Sequence, residues 1–168
     1  LLEEPQAAFY AWLDRRGDGW RSELHVGDVV LVVDVGGGTT DFAAILLDEE
    51  DGRLEPRRIA VGQHILLGGD NMDLALAHLV RQKLESAGSN IDSWQLAALS
   101  HAARDAKESL LGDGAPEVAS VVVPSRGSQL LGGSLRSELT RAETWQYVRD
   151  GFFPVVPWQQ EPRQRPRG

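Results

Sequence analysis

Between residues 33 and 42 the chain reads Val33-Asp34-Val35-Gly36-Gly37-Gly38-Thr39-Thr40-Asp41-Phe42, with three glycines and two hydroxyls held between two aspartates. Residues without a Cβ let a polyanion come close to main-chain N–H groups, and Thr39 and Thr40 add hydroxyl donors, so phosphate is the ligand such a loop suits. A tight turn alone needs fewer glycines. The segment is not a Walker A loop, because the Gly-Lys-Ser/Thr ending is missing and no helix follows directly. With Asp34 closing one strand and Asp41 opening the next, a hairpin places both carboxylates at one sheet end beside the glycines. Magnesium is usually gripped by one or two carboxylates, several waters and the substrate's phosphates, and a nearby carboxylate orients or deprotonates an attacking water. The plainer reading is a glycine-rich hairpin with two turn-stabilising aspartates.

The elements that must position these residues follow from composition and period. The chain has 168 residues, 42% apolar and 25% charged, which suits one globular domain with a core, with or without a subdomain and tail. Its net charge of −8 argues against a nucleic-acid backbone as partner. The longest aliphatic run, Val29 to Val33, is far short of the roughly twenty residues of a spanning helix, so no membrane role is expected. There is no cysteine, hence no disulfide, thiol catalysis or Cys-based zinc site, which suits a cytoplasmic setting. The chain opens on Leu1 and starts inside a motif, so a fragment is expected.

A short helix is predicted over Gln6 to Leu13 after Pro5, then a polar loop over Arg15 to Gly27. The β-branched run Val29 to Val33 reads as a strand covered on both faces. Strands over Asp41 to Leu47 and Leu54 to Val61, joined at Asp51-Gly52, complete an antiparallel meander. Asp70 is expected to cap a helix with Met72, Leu76, Leu79, Val80 and Leu84 on one stripe, and Asp92 another with Leu96, Leu99, Ala103, Ala106 and Leu110, the two packing together. Val118 to Val123 and Ser128 to Leu135 read as a hairpin around Pro124 to Gly127. Thr140 to Glu143 form a capping box for a helix with Trp145 and Val148 on one face, ending near Gly151. Four of the eight prolines fall after Phe152, so an extended tail with Arg163, Arg165 and Arg167 is expected. Trp94 and Trp145 read as packing residues, and His25, His64, His78 and His101 are too scattered for a metal site.

Taken in order, Glu4-Pro5-x-Ala-Ala, Asp34 to Phe42, Leu67-Gly68-Gly69-Asp70-Asn-Met-Asp73, Ala102 to Lys107 and Leu139 to Ala142 resemble the nucleotide-binding domain of the heat-shock protein 70 (DnaK-like) chaperones. The resemblance covers roughly residues 3 to 150. It implies an α/β chain with part of the actin-like ATPase (ribonuclease H-like) fold. Residues 1–66 would form a second-lobe meander carrying the phosphate hairpin, 67–151 a helical and β-hairpin subdomain, and 152–168 a tail. ATP or ADP and Mg²⁺ are the implied cofactors, with Gly36, Gly37, Gly38, Thr39 and Thr40 at the phosphates, Asp34 on the metal through water, and Asp41 and Glu4 as further acids near the reaction. Gly68 and Gly69 would face the nucleotide and Lys107 the adenosine. Arg104 stands where the family has an acid, and Leu111 where it has a serine, so the likeness is stronger on the phosphate side. The family hydrolyses ATP and takes unfolded polypeptide clients with co-chaperones.

Another actin-like ATPase or a sugar kinase would use the same hairpin. The helical insertion after Leu67-Gly68-Gly69, with Asp73, Lys107 and Leu139-Thr140-Arg141, favours the chaperone side. A degenerate, non-catalytic interaction module is the other alternative, supported by the altered adenosine positions and the tail. No second glycine-hydroxyl hairpin occurs in the sequence, so weak ATP binding and little or no turnover are expected of the chain alone.

Overall fold

Residues 4–125 and 133–161 are described by the computed structural model, and they divide into two units, one running through Gly68 and the other beginning at Gly69.

In the first unit, helix α1 (Glu4–Arg16) leads through a short 3₁₀ helix (Gly17–Ser22) to strands β1 (Val29–Val35), β2 (Thr40–Glu50) and β3 (Arg53–Val61). α1 outruns its predicted span at both ends, with Pro5 in its first turn, where a missing N–H costs nothing. The expected polar loop contains the 3₁₀ helix, whose Trp20 lies beneath the Arg21 guanidinium. The strands form an antiparallel meander in the order β1-β2-β3. Asp51 and Gly52 both take positive φ, 51° and 73°, as a type I′ turn requires, and a bulge interrupts β2–β3 pairing at Ala44/Ile45.

Period-two alternation sends Val30 and Val32 under α1, where they meet Phe9, Trp12, Leu13, Ile45 and Leu47. The expectation that β1 is covered on both faces fails. Val29, Leu31, Val33 and Val35 of the opposite face are 41% to 63% exposed. α1 packs on one side of β1 only, so an unbroken apolar run is no guide to two-sided cover here.

The second unit runs α2 (Gly69–Ser86), α3 (Ser93–Leu111), β4 (Val118–Pro124), β5 (Ser134–Thr140) and α4 (Arg141–Phe152). The helical stripes are as the spacing predicts: Met72, Leu76, Val80 and Leu84 meet Leu99, Ala103, Ala106 and Leu110, with Val121, Val123, Leu139 and Val148 closing the core. Asp92 and Gln95 form a reciprocal capping box on α3. Asp70 is not a cap: α2 starts at Gly69, so Asp70 lies in the first turn, where its charge still complements the helix dipole.

β5 begins at Ser134 and pairs Val118↔Thr140 through Pro124↔Ser134, later than the predicted Ser128–Leu135 strand. Ser125 closes the hairpin by donating from its N–H and hydroxyl to the Gly133 carbonyl, at 2.8 and 2.7 Å, and residues 126–132 lie outside the described residues. Trp94 and Trp145 are each 48% exposed and lie outside the buried core, and on α4 the core side is Thr144 and Val148. Residues 153–161 form neither helix nor strand, and the predicted tail beyond them lies outside the described residues. Among the described residues no helix is long and apolar enough to cross a membrane.

Lys83 of α2 donates to the Glu138 carbonyl at 2.9 Å and pairs with Glu143 at 2.8 Å, tying α2 to the β5–α4 junction. Burial raises the Glu143 pKa, but the Lys83 hydrogen bond and the Thr140 N–H and hydroxyl outweigh it and hold the carboxyl below its ordinary value. A lowered folded-state pKa stabilises the fold above the ordinary glutamate range, and that contribution is lost as pH falls through the lowered value. Glu143→Gln should therefore cost about 1 kcal/mol near neutral pH in urea unfolding, and the difference from the parent chain should vanish in acid.

Candidate functional site

The β1–β2 register pairs Val33↔Phe42, Asp34↔Asp41 and Val35↔Thr40, so the two carboxylates stand opposite each other on the face that carries Val32 and Ala43. The Gly36 N–H donates to the Thr39 carbonyl at 2.8 Å, closing a turn over Gly37 and Gly38. Gly36 and Gly38 both keep φ outside the left-handed region. A Cβ on Gly36 would meet the Thr39 carbonyl at an ordinary 3.5 Å, and one on Gly38 would meet nothing within 4 Å. The backbone of this turn does not itself require glycine at either position.

A second segment, residues 62–68, is laid along the start of β2. The Gly62 N–H donates to the Phe42 carbonyl at 2.8 Å, and Thr40 and Ile65 exchange both backbone hydrogen bonds at 2.9 and 3.1 Å. The Thr40 hydroxyl donates to the Leu67 carbonyl at 2.7 Å, so its proton fixes the loop, and Thr39 is the hydroxyl whose donor is not so engaged among the described residues. Gly68 sits against the hairpin backbone: a Cβ there would lie 2.5 Å from the Gly37 carbonyl oxygen and 2.6 Å from that of Gly36. The same segment brings His64 Nδ1 within 2.7 Å of Asp41 Oδ1.

The remaining residues singled out by sequence fall elsewhere. Glu4 opens α1, Gly69 opens α2, and Lys107 lies on α3 in the second unit. Lys107 Nζ is 2.5 Å from Asp73 Oδ1, and both side chains are largely buried. Arg104 approaches Asp70, Asp73 and Glu108 at 3.4 to 3.6 Å. His64 is scattered from the other histidines in the sequence, but the β3 register carried past Val61 brings it opposite the start of β2. The ion-pair role of Asp73 has no motif of its own, its one sequence signal being a carboxylate on the buried helix side with Met72, Leu76 and Ala77.

Among the described residues no group of three or more His, Asp or Glu side chains could enclose a metal. The donor set at the hairpin, two opposed carboxylates beside a glycine turn, fits a cation held through water and a ligand's phosphates. The apolar cavity of about 370 Å³ under α1 is lined by Phe9, Trp12, Leu24 and Val30 and includes no hairpin residue.

A family model described as Hsp70 protein matches residues 3–152. A chaperone protein HscA homolog of Variovorax paradoxus is 37% identical over 145 residues, covering 85% of this chain and 20% of the relative. Those of Pseudomonas fluorescens and Acinetobacter baylyi are 36% and 33% identical, covering 70% and 66% of the chain and 17% and 16% of the relatives. The chain thus spans a fifth or less of the length of these curated relatives.

Proposed function

Because the chain belongs to the Hsp70 protein family, we propose that it forms part of an actin-like nucleotide-binding domain and holds the phosphates of ATP or ADP at the Asp34–Asp41 hairpin. The observation that carries this reading is the mismatch between residue type and fold at Gly36 and Gly38. Neither takes a left-handed φ and neither is crowded, so their lack of side chains serves something outside the chain, and a polyanion reaching main-chain N–H groups is the ligand that needs it. Thr39 supplies a hydroxyl donor, Thr40 locks the neighbouring loop, and Asp34 and Asp41 offer oxygens at the same sheet end.

Magnesium, when bound, would offset the phosphate charge that two carboxylates would otherwise repel. Asp34 would hold it through water, and Asp41 would orient a water near the terminal phosphate, with Glu4 as the further acid. Gly68 would hold the turn in shape. Gly69 and Lys107 are proposed on the nucleotide side from the resemblance, with Lys107 also engaged by Asp73. The parent would hydrolyse ATP to drive a cycle on unfolded polypeptide clients, with co-chaperones, in the cytoplasm. The order of motifs through the helical insertion favours this over a sugar kinase.

Isothermal calorimetry of the full chain with Mg-ADP tests the reading. Gly38→Ala is expected to leave stability within about 0.5 kcal/mol and to weaken binding at least about tenfold, a difference of about 1.4 kcal/mol. Asp34→Asn should weaken binding in magnesium but much less without it. Equal affinity in both variants would remove the hairpin as the phosphate site.

A further inference from the structure

His64 is placed by the backbone rather than by side-chain reach. The Gly62–Phe42 and Thr40–Ile65 hydrogen bonds on either side of it pin residues 62–65 along β2, and its ring then meets Asp41 at 2.7 Å. An ionised carboxylate only accepts, so Nδ1 is the donor, which leaves Nε2 as the other ring nitrogen. A carboxylate at the start of a strand turns about its terminal torsion with little hindrance, and a hydrogen bond from a ring fixed by the main chain removes that freedom.

We propose that His64 is a positioning residue for Asp41, so that the acid facing the phosphate hairpin acts as one member of an imidazole–carboxylate pair. The proposal rests on the phosphate-site reading above and adds to it the residue that orients its second acid. The pair also sets an N–H donor against one of two carboxylates that face each other across β1 and β2, easing the approach of a polyphosphate.

Two measurements on the full chain test it. In long-range ¹H–¹⁵N spectra without nucleotide, in mildly alkaline buffer, His64 should be held as the Nδ1–H tautomer and should shift toward Nε2–H in Asp41→Asn. In calorimetry with Mg-ADP, His64→Leu should weaken binding about fivefold. His64→Asn carries an amide N–H near the Nδ1 position and should restore affinity to within about twofold, a rescue that a merely structural role does not predict. An Nε2–H tautomer in the parent chain, or one indifferent to Asp41→Asn, overturns the pairing. Full affinity in His64→Leu overturns the positioning role while leaving the phosphate site standing. If the parent chain takes up no Mg-ADP, the phosphate-site reading falls, and the tautomer alone decides whether the pair exists.

Discussion

Lys107→Met is expected to destabilise the second unit by about 3 kcal/mol, among the largest losses a single side chain of this protein can cause. Lys107 and Asp73 are 14% and 6% exposed and lie 2.5 Å apart, α3 against α2. Removing the ammonium leaves a carboxylate that burial has stripped of water and whose strongest compensating charge is gone. Arg104 Nε, at 3.6 Å from the other Asp73 oxygen and about half exposed, relieves part of that penalty, which keeps the estimate at the lower end of the range for broken buried pairs. The double variant Lys107→Met/Asp73→Leu should recover most of the loss, because the cost lies in the unpaired charge rather than in the absent contact. Urea unfolding with peptide-resolved hydrogen exchange over α2 and α3 would read both. Equal losses in the single and double variants would mean that the pair contributes packing alone. Because Lys107 is the side chain that the resemblance assigns to adenosine, its variant's loss of nucleotide affinity should be judged only after the α2–α3 pair is shown to be intact.

The helices were legible because their signals are local. A stripe at three-and-four spacing and a carboxylate or hydroxyl three residues before Gln95 or Glu143 describe α3 and α4 without reference to anything distant. The hairpin was legible for the same reason: glycines between two strand patterns put Asp34 opposite Asp41 by simple counting. What the pattern missed depends on neighbours far along the chain. Val29 to Val35 carry a run that reads the same whether one face or two is covered, and only the packing of α1 over Val30 and Val32 shows which face is closed. Trp94 and Trp145 are large and apolar, which says nothing of which side of a helix the core lies on. His64 reaches Asp41, and Asp73 reaches Lys107, over separations that no motif spacing encodes.

Gly68→Ala is expected to cost the first unit about 3 kcal/mol, the upper end for overpacking. The reason lies in the two atoms the new methyl would meet, the carbonyl oxygens of Gly37 and Gly36 at 2.5 and 2.6 Å. A flexible side chain could swing clear, but these oxygens belong to a turn closed by the Gly36–Thr39 hydrogen bond, and the loop bearing Gly68 is held by the Thr40–Leu67 and Thr40–Ile65 bonds. Either the turn opens or the loop detaches. Hydrogen exchange should consequently accelerate at Thr40 and Ile65, with α2 and α3 of the other unit unchanged. Gly38→Ala, whose methyl enters open space, is the matched control and should show no such acceleration. The two alanines would then separate two uses of glycine in one motif set. At Gly68 the missing side chain admits the protein's own backbone, so its loss appears first as instability. At Gly38 the space is open, and on the phosphate-site proposal it admits a ligand, so its loss should appear only when phosphate is present. Wild-type stability for Gly68→Ala would mean that the two loops are not interlocked, and the shape of the proposed phosphate turn would then have to come from the turn residues alone.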